Sequence, residues 1–374
     1  EHPMSRARDF ADLAGSADAG GLTGKNLLIN GAMQVNQRGT KTSSDGNDAV
    51  ADRFLMFRNG TDVRFTLSTD TDVPAGQGFT KSAKIDVTTA DTSFAAGDLI
   101  GFRQQIEGKN VQHLKKGTSN AESLTLSFYI KSSITGTYIL ELYDFDNGRQ
   151  ISKSYTVSSA NTWEKKTLTF PGDTTGAFDN DNNRSLLVHW WLGAGSTYQS
   201  GTLNTSWASV TQANRVVGQV NAINSTDNNI LITGCQLEIG QKATPFEHRS
   251  FADELHRCSR YLKQYKATTT FNQFAFAHTE STTLHNALFT FDPPMRDTPN
   301  AITVSGNIGI ITQWGLGVTG ISSVALDASS KGFTQTRLRC TTGSGVGTAG
   351  ETNILLSNNN ASSTINFDAF SKVF

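Results

Sequence analysis

Residues 189–207 (HWWLGAGSTYQSGTLNTSW) hold the densest run of side chains suited to gripping a sugar. Pyranose C–H faces stack on aromatic rings, while amides and carboxylates take the hydroxyls. Trp190 and Trp191 are adjacent, so in a strand they point to opposite faces of the sheet. One belongs in a core, and the other is available as a platform. Tyr198 and Trp207 lie in or beside a Gly/Ser/Thr-rich loop that can fold back over the same face. These four residues form the candidate carbohydrate site. The commoner use of such rings is as core and loop anchors, and Trp314 carries the same two readings.

Two acidic clusters have oxygen ligands at calcium-like spacing. Asp144, Asp146 and Asn147 fall in a hairpin, and Asp179, Asp181 and Asn183 fall in FDNDNNR. The second alternates its ligands as a calcium loop does, but lacks the glycine and closing glutamate of an EF-hand. Solvated turns are the expectation, with a structural calcium as the lesser alternative and no other cofactor. Catalytic signatures are missing: no GxSxG, HExxH, P-loop or kinase set occurs. A glycosidase needs two carboxylates about 5–10 Å apart. Glu141 with Asp144, or Glu238 with Glu247, are the pairs on offer, and nothing selects either. His189 reads as a strand residue rather than a base. No long repeat of the kind a β-helix depolymerase shows is present. The chain reads as a binding protein, not an enzyme.

The elements that must position these residues are strands. Charged residues are 17% of the chain against a usual ~25%, so the surface is built from Ser, Thr, Asn and Gln. Thr suits a pleated surface, and Asn with the 34 glycines suits tight turns. A net charge of −1 gives no field to gather nucleic acid or an anionic membrane. No apolar run approaches the ~20 residues needed to cross a bilayer. Cys235, Cys258 and Cys340 are odd in number and widely spaced, which indicates buried thiols rather than a disulfide framework or zinc site.

Residues 4–14 (MSRARDFADLA) predict a short helix, and 15–24 a Gly/Ala/Ser linker. A helix this short cannot hold itself together in water. Arg6, Arg8, Phe10 and Leu13 are therefore the candidate anchoring residues, and 1–24 the anchor. From 25 to 249 strand follows strand at intervals of about ten residues: NLLINGAMQV, ADRFLMF, VRFTLST, KSAKIDVTT, SLTLSFYIKSS, a hairpin at Asn147-Gly148, TWEKKTLTFP, SLLVHWWLGA and NNILITGCQLEIG. That pattern predicts a jelly-roll β-sandwich. Residues 250–266 predict an amphipathic linker helix with Phe251, Leu255, Cys258, Leu262 and Tyr265 on one face. Residues 267–374 resume as strands, predicting a second, smaller β-sandwich.

Several phrases resemble one modular family. They are NLLINGAMQVNQRG at 26–39, ADRF at 51–54, TGCQLEIGQKATPFEHRSFADELHRCSRYLKQY at 233–265 and FDPPMRDTP at 291–299. In order and spacing they are similar to phage and prophage tail-fibre or virion-attached proteins with a jelly roll like that of carbohydrate-binding modules. The resemblance implies a Q-L-E-x-G strand closing the sandwich and an A-T-P-F-E-x-R phrase leading into a helix. It implies a place on the virion, contacts with other virion proteins, a homotrimer and a host-surface polysaccharide as partner. Related jelly rolls carry a calcium near the first and last strands; here Thr233 stands where an acidic ligand is expected. Glu238, Glu247 and Arg249 read by themselves as a structural corner at the sandwich end. The same jelly roll serves decoration and assembly as well as adhesion, so a non-adhesive capsid or tail decoration protein stays open.

Overall fold

The computed structural model describes residues 24–46, 48–311 and 317–369, so the anchor residues Arg6, Arg8, Phe10 and Leu13, and also Trp314, lie outside the described residues. The chain divides into two compact units between Glu254 and Leu255.

The first unit contains thirteen strands among the described residues: β1 (Lys41–Ser44), β2 (Ala49–Ala51), β3 (Phe54–Asn59), β4 (Arg64–Asp70), β5 (Ser82–Thr89), β6 (Leu99–Glu107), β7 (Leu124–Ser132), β8 (Gly136–Asp144), β9 (Arg149–Val157), β10 (Glu164–Phe170), β11 (Arg184–Ala194), β12 (Ala208–Ser209) and β13 (Asn229–Ile239). They form two antiparallel sheets, six strands in the order β1-β4-β5-β13-β7-β10 and seven in the order β12-β9-β8-β11-β6-β3-β2. This is the jelly-roll sandwich. Alternation makes it: Phe65 and Leu67 of β4, Leu126, Phe128 and Ile130 of β7, and Leu186, Val188 and Trp190 of β11 turn inward into one buried cluster.

The segment NLLINGAMQV departs from expectation, because it is buried but not a ladder strand. The Asn26 side chain takes the place of a neighbouring backbone. Its Oδ1 accepts from the N–H groups of Leu28 and Leu237, and its Nδ2 donates to the Cys235 carbonyl at 3.0 Å. Gly31 is needed there, since a Cβ would sit 2.1 Å from the Cys235 carbonyl oxygen.

The corner phrases close around this segment. Glu247 accepts from the N–H groups of Gly24 and Asn26. Arg249 donates to the carbonyls of Leu28 and Asn26, and pairs with Glu247 at 3.2 Å and Glu254 at 3.3 Å. Glu238 instead takes Gln236 and Thr244. The Q-L-E-x-G and A-T-P-F-E-x-R phrases thus act as one structural latch.

A four-residue helix, α1 (Ser196–Gln199), follows β11, and α2 (Phe251–Ser259) ends well short of the predicted span. Ser250 Oγ caps α2 by accepting the N–H of Asp253 at 3.1 Å. Leu262 and Tyr265 do not continue its face, because β14 (Leu262–Lys266) pairs with the last strand and that ladder wins over helical spacing. The second unit continues with β15 (Gln273–Ser281), β16 (Leu284–Thr290), β17 (Ala301–Ser305), β18 (Ile308–Ile311), β19 (Thr319–Leu326), β20 (Gln335–Thr342), β21 (Thr352–Ser357) and β22 (Thr364–Asp368). Here the predicted small sandwich takes the form of a closed barrel, β15-β16-β20-β19-β18-β21, beside a three-stranded sheet, β14-β22-β17. The two share an aromatic core, with Phe289 and Phe367 centroids 4.9 Å apart and Tyr265 4.9 Å from Phe289. All three cysteines are buried, and none is joined in a disulfide. Among the described residues no helix is long and apolar enough to cross a membrane.

Candidate functional site

The predicted tryptophans alternate across the sheet as expected, but neither presents a ring to solvent. Trp190 is fully buried between the sheets, stacked on Phe102 at 5.2 Å and edge-on to Phe128 at 5.9 Å. Trp191, on the outer face, is also fully buried, in a small cluster with Phe57, Ile139, Ala194 and Val216. The loop after β11 returns over it and brings Tyr198 to within 6.1 Å of its ring. Trp207 is half-buried, and its Nε1 donates to the Pro171 carbonyl at 2.8 Å. Trp190 and Trp191 are therefore corrected from sugar platforms to scaffold. The cover over Trp191 is the loop that directly follows its own strand, with Tyr198 and Val216 packed on the ring side.

The acidic hairpins also have ordinary structural work. Lys116, its side chain 4% exposed, places Nζ 2.6 Å from Asp144 and 3.1 Å from Asp173. It also donates to the Thr175 and Gly176 carbonyls at 2.8 and 2.7 Å. An ammonium thus occupies a four-oxygen nest of the kind a cation would take. In the second cluster, the N–H of Asp179 donates to Asp146, and Asn183 bonds Asp181. Among the described residues no group of three or more His, Cys, Asp or Glu is placed to hold a metal ion.

The chemistry that does converge lies on the outer face of the seven-stranded sheet, one row away from Trp191. Register sets Leu55, Arg103, His189, Glu141 and Ser152 side by side across β3, β6, β11, β8 and β9. The next row carries Gln105, Leu187, Tyr143 and Gln150. Glu141 is the hub. Both its oxygens accept from Arg215, each at 2.8 Å, and Oε2 also faces Trp191 Nε1 at 3.2 Å and His189 Nδ1 at 2.8 Å. Burial works against ionisation of Glu141, but Arg215 and His189 together outweigh it and hold the carboxyl at about 2.

An ionised Glu141 fixes the histidine tautomer. Nδ1 carries the proton and donates, so Nε2 keeps a lone pair on the opposite ring edge, turned away from β8. That Nε2 is buried and meets no hydrogen-bond partner, as does Nε2 of Gln105. The imidazole sits between Phe57, 4.9 Å away, and Tyr143, 6.0 Å away. Beyond Tyr143 lies Phe145, 44% exposed, with the Arg184 guanidinium 3.9 Å over its ring. Gly101 makes room on this face, since a Cβ there would stand 2.6 Å from the Phe57 ring.

Sequence reasoning named Glu141 only as an unselected carboxylate and passed over Tyr143, Phe145, Arg103, Arg184 and Arg215. One signal was present: Ile139, Glu141, Tyr143 and Phe145 alternate on one face of YILELYDF, and the charge in that stripe needs partners.

Burial holds His189 at about 4, against its contact with Glu141. An unfolded chain takes up this proton from about pH 6.5 downward, while the folded one does not until about pH 4. The unfolded state therefore binds more protons across that window, and stability falls as pH drops through it, by about 3 kcal/mol in all. His113 and His285, also lowered by burial, act in the same direction. Urea midpoints measured from pH 7 to pH 5 should fall in the native protein, and His189→Gln should flatten the slope. Parallel slopes would remove the assignment.

No protein-family profile matches the chain, and neither does any curated protein. Solved structures do match in part. The enzymatically active domain of bacteriophage CBA120 tailspike protein 4 is 19% identical with a TM-score of 0.31, over 57% of this chain and 21% of that one. A protein of Bacteroides thetaiotaomicron is 12% identical with a TM-score of 0.31, over 58% of this chain and 100% of that one. A family 11 carbohydrate-binding module from Clostridium thermocellum, in complex with a mixed-linked tetrasaccharide, is 14% identical with a TM-score of 0.26, over 56% of this chain and 98% of that one. The chain thus spans about one fifth of the tailspike domain's length, at 21%.

Proposed function

We propose that the protein is a phage virion attachment protein that is held on the particle by its N-terminal segment and binds host-surface polysaccharide on the outer face of the seven-stranded sheet. The observation that carries the sugar-binding part is the buried, unpartnered Nε2 of His189, locked as an acceptor by Glu141. Around it stand the Tyr143 and Phe145 rings and the Gln105 amide. A fixed acceptor, amide donors and ring faces are the groups a pyranose uses. The attachment part is supported by the sequence pattern of residues 4–24 and by the tail-fibre phrases. A homotrimer in contact with other virion proteins goes with that reading.

The test is an array of bacterial envelope polysaccharides. The native protein should bind at least one, and Phe145→Ala should weaken that binding about tenfold, the loss of roughly 1.4 kcal/mol of stacking. Binding to no glycan above background would end the adhesion reading. The burial of Trp190 and Trp191 favours a second reading, a capsid or tail decoration protein without a ligand. Imaging separates the two, because lattice points on a capsid fit decoration and a tail tip or fibre end fits adhesion. A reducing-end assay on host polysaccharide should detect no release of oligosaccharide.

A further inference from the structure

The second unit carries a groove that the sheet-face reading does not use. β17 belongs to the three-stranded sheet and β19 to the barrel, and among the described residues no ladder joins them. With the start of β18 they line a groove of about 290 Å³, at the small end of the range for ligand clefts, roughly 300–1,000 Å³. Its floor is aliphatic, because Val304, Ile308 and Ile321 belong to the margin of the barrel core. Its rim offers the amides of Asn307 and Asn358 and the hydroxyl of Ser323. Among the described residues no charged side chain and no aromatic ring lines it.

The backbone sets the rim. Gly306, at φ +72, turns the chain out of β17, and the Asn358 N–H donates to the Asn307 carbonyl at 2.9 Å, which holds the two asparagines side by side. Neither side-chain amide has a hydrogen-bond partner among the described residues. Gly320 keeps the groove open, since a Cβ there would meet only Asn358 Nδ2, at 3.8 Å. A carboxylate or phosphate would find no cation in this lining, so the groove favours an uncharged ligand. Each primary amide has two N–H donors and a carbonyl acceptor, which match neighbouring hydroxyls that both donate and accept. We infer that the groove between β17 and β19 binds one uncharged pyranose residue, its vicinal hydroxyls held by Asn307 and Asn358 and its C–H face laid on Val304 and Ile321. A single ring without an aromatic platform puts the affinity in the millimolar range. The site shares no residue with the outer face of the seven-stranded sheet and does not depend on it.

Amide-resolved NMR titration of the full chain with the methyl glycosides of glucose, galactose and mannose tests it. At least one should shift the amides of residues 304–309 and 319–324 saturably, and the uronate of the same sugar should bind about tenfold more weakly or worse. Asn307→Ala and Asn358→Ala should each raise the dissociation constant about tenfold. Gly320→Val, which suits a strand and fills the groove, should remove the shifts. Lys165→Gln, in the first unit, should change nothing. The unshifted remainder of each variant's spectrum confirms its fold. No saturable shift in these residues with any of the three sugars, a uronate bound as tightly, or binding indifferent to all three groove substitutions would overturn the inference. Shifts confined to β8 and β11 would overturn this site and leave the sheet-face reading standing. Shifts confined to the groove, with no envelope polysaccharide bound on the array, would uphold this site and end the other.

Discussion

Lys116→Met is expected to remove about 3–5 kcal/mol from the stability of the jelly roll, the usual loss when one partner of a buried ion pair is deleted. Domains of ordinary stability have roughly 5–15 kcal/mol in all, so much of the margin would go. The reason is local. Asp144 and Asp173, with side chains 0% and 3% exposed, share the Lys116 ammonium, and without it two buried carboxylates face each other. Arg149 still holds Asp173, at 2.7 Å, but Asp144 loses its cation. Urea denaturation measures the loss, and a change below about 1 kcal/mol would refute the account. Lys116→Met with Asp144→Asn should recover part of it, since the orphaned charge is then gone. Because the ammonium already fills the nest, EDTA or added calcium should move the native melting temperature by less than about 1 °C, under 0.5 kcal/mol. A larger rise with calcium would show a metal site elsewhere.

Much of the fold was legible in the sequence wherever alternation was clean. The Asn147-Gly148 hairpin joins β8 to β9 with Gly148 at φ +58, as the dipeptide indicates. Besides the short edge strands β1 and β12, the strand missed was β6, LIGFRQQIE, which lies beside β11 at the middle of the site. Its alternation is broken by Gln104, a polar side chain on the inward face. Gln104 is fully buried because it exchanges hydrogen bonds with both the N–H and the carbonyl of Ile29, in the irregular segment that sequence reading took for a strand. One misreading explains the other: the segment is no strand because side chains of Asn26 and Gln104 satisfy its backbone. The site was hidden for a related reason. Arg215 lies 74 residues from Glu141 and Arg103 lies 86 from His189 (189 − 103), so only the folded register brings them together. Local pattern could show the aromatic run at 189–207 and a loop able to fold back over it, but not that this loop would bury Trp191 completely.

Glu141→Ala is expected to cost a further large amount, again about 3–5 kcal/mol, and to act on the site as well as the fold. It leaves the Arg215 guanidinium, 11% exposed, without the carboxylate it grips with two hydrogen bonds, and leaves the N–H groups of His189 and Trp191 facing an empty space. Arg215 also ties its loop down, since its carbonyl accepts from Ser152 Oγ at 2.7 Å and its neighbour Val216 packs on Trp191. Hydrogen exchange should therefore rise first in residues 195–220, the cover of Trp191, and only later in the sheets. Glu141→Gln, which keeps the shape and one carbonyl acceptor, should lie between. The glycan readout separates the two roles of the carboxylate. In Glu141→Gln the His189 tautomer is no longer fixed by a negative charge, so binding should fall about tenfold, roughly 1.4 kcal/mol, even where the protein remains folded. If Glu141→Gln destabilises the protein but binds unchanged, the carboxylate serves the sheet alone, and the acceptor at His189 is not what the ligand uses.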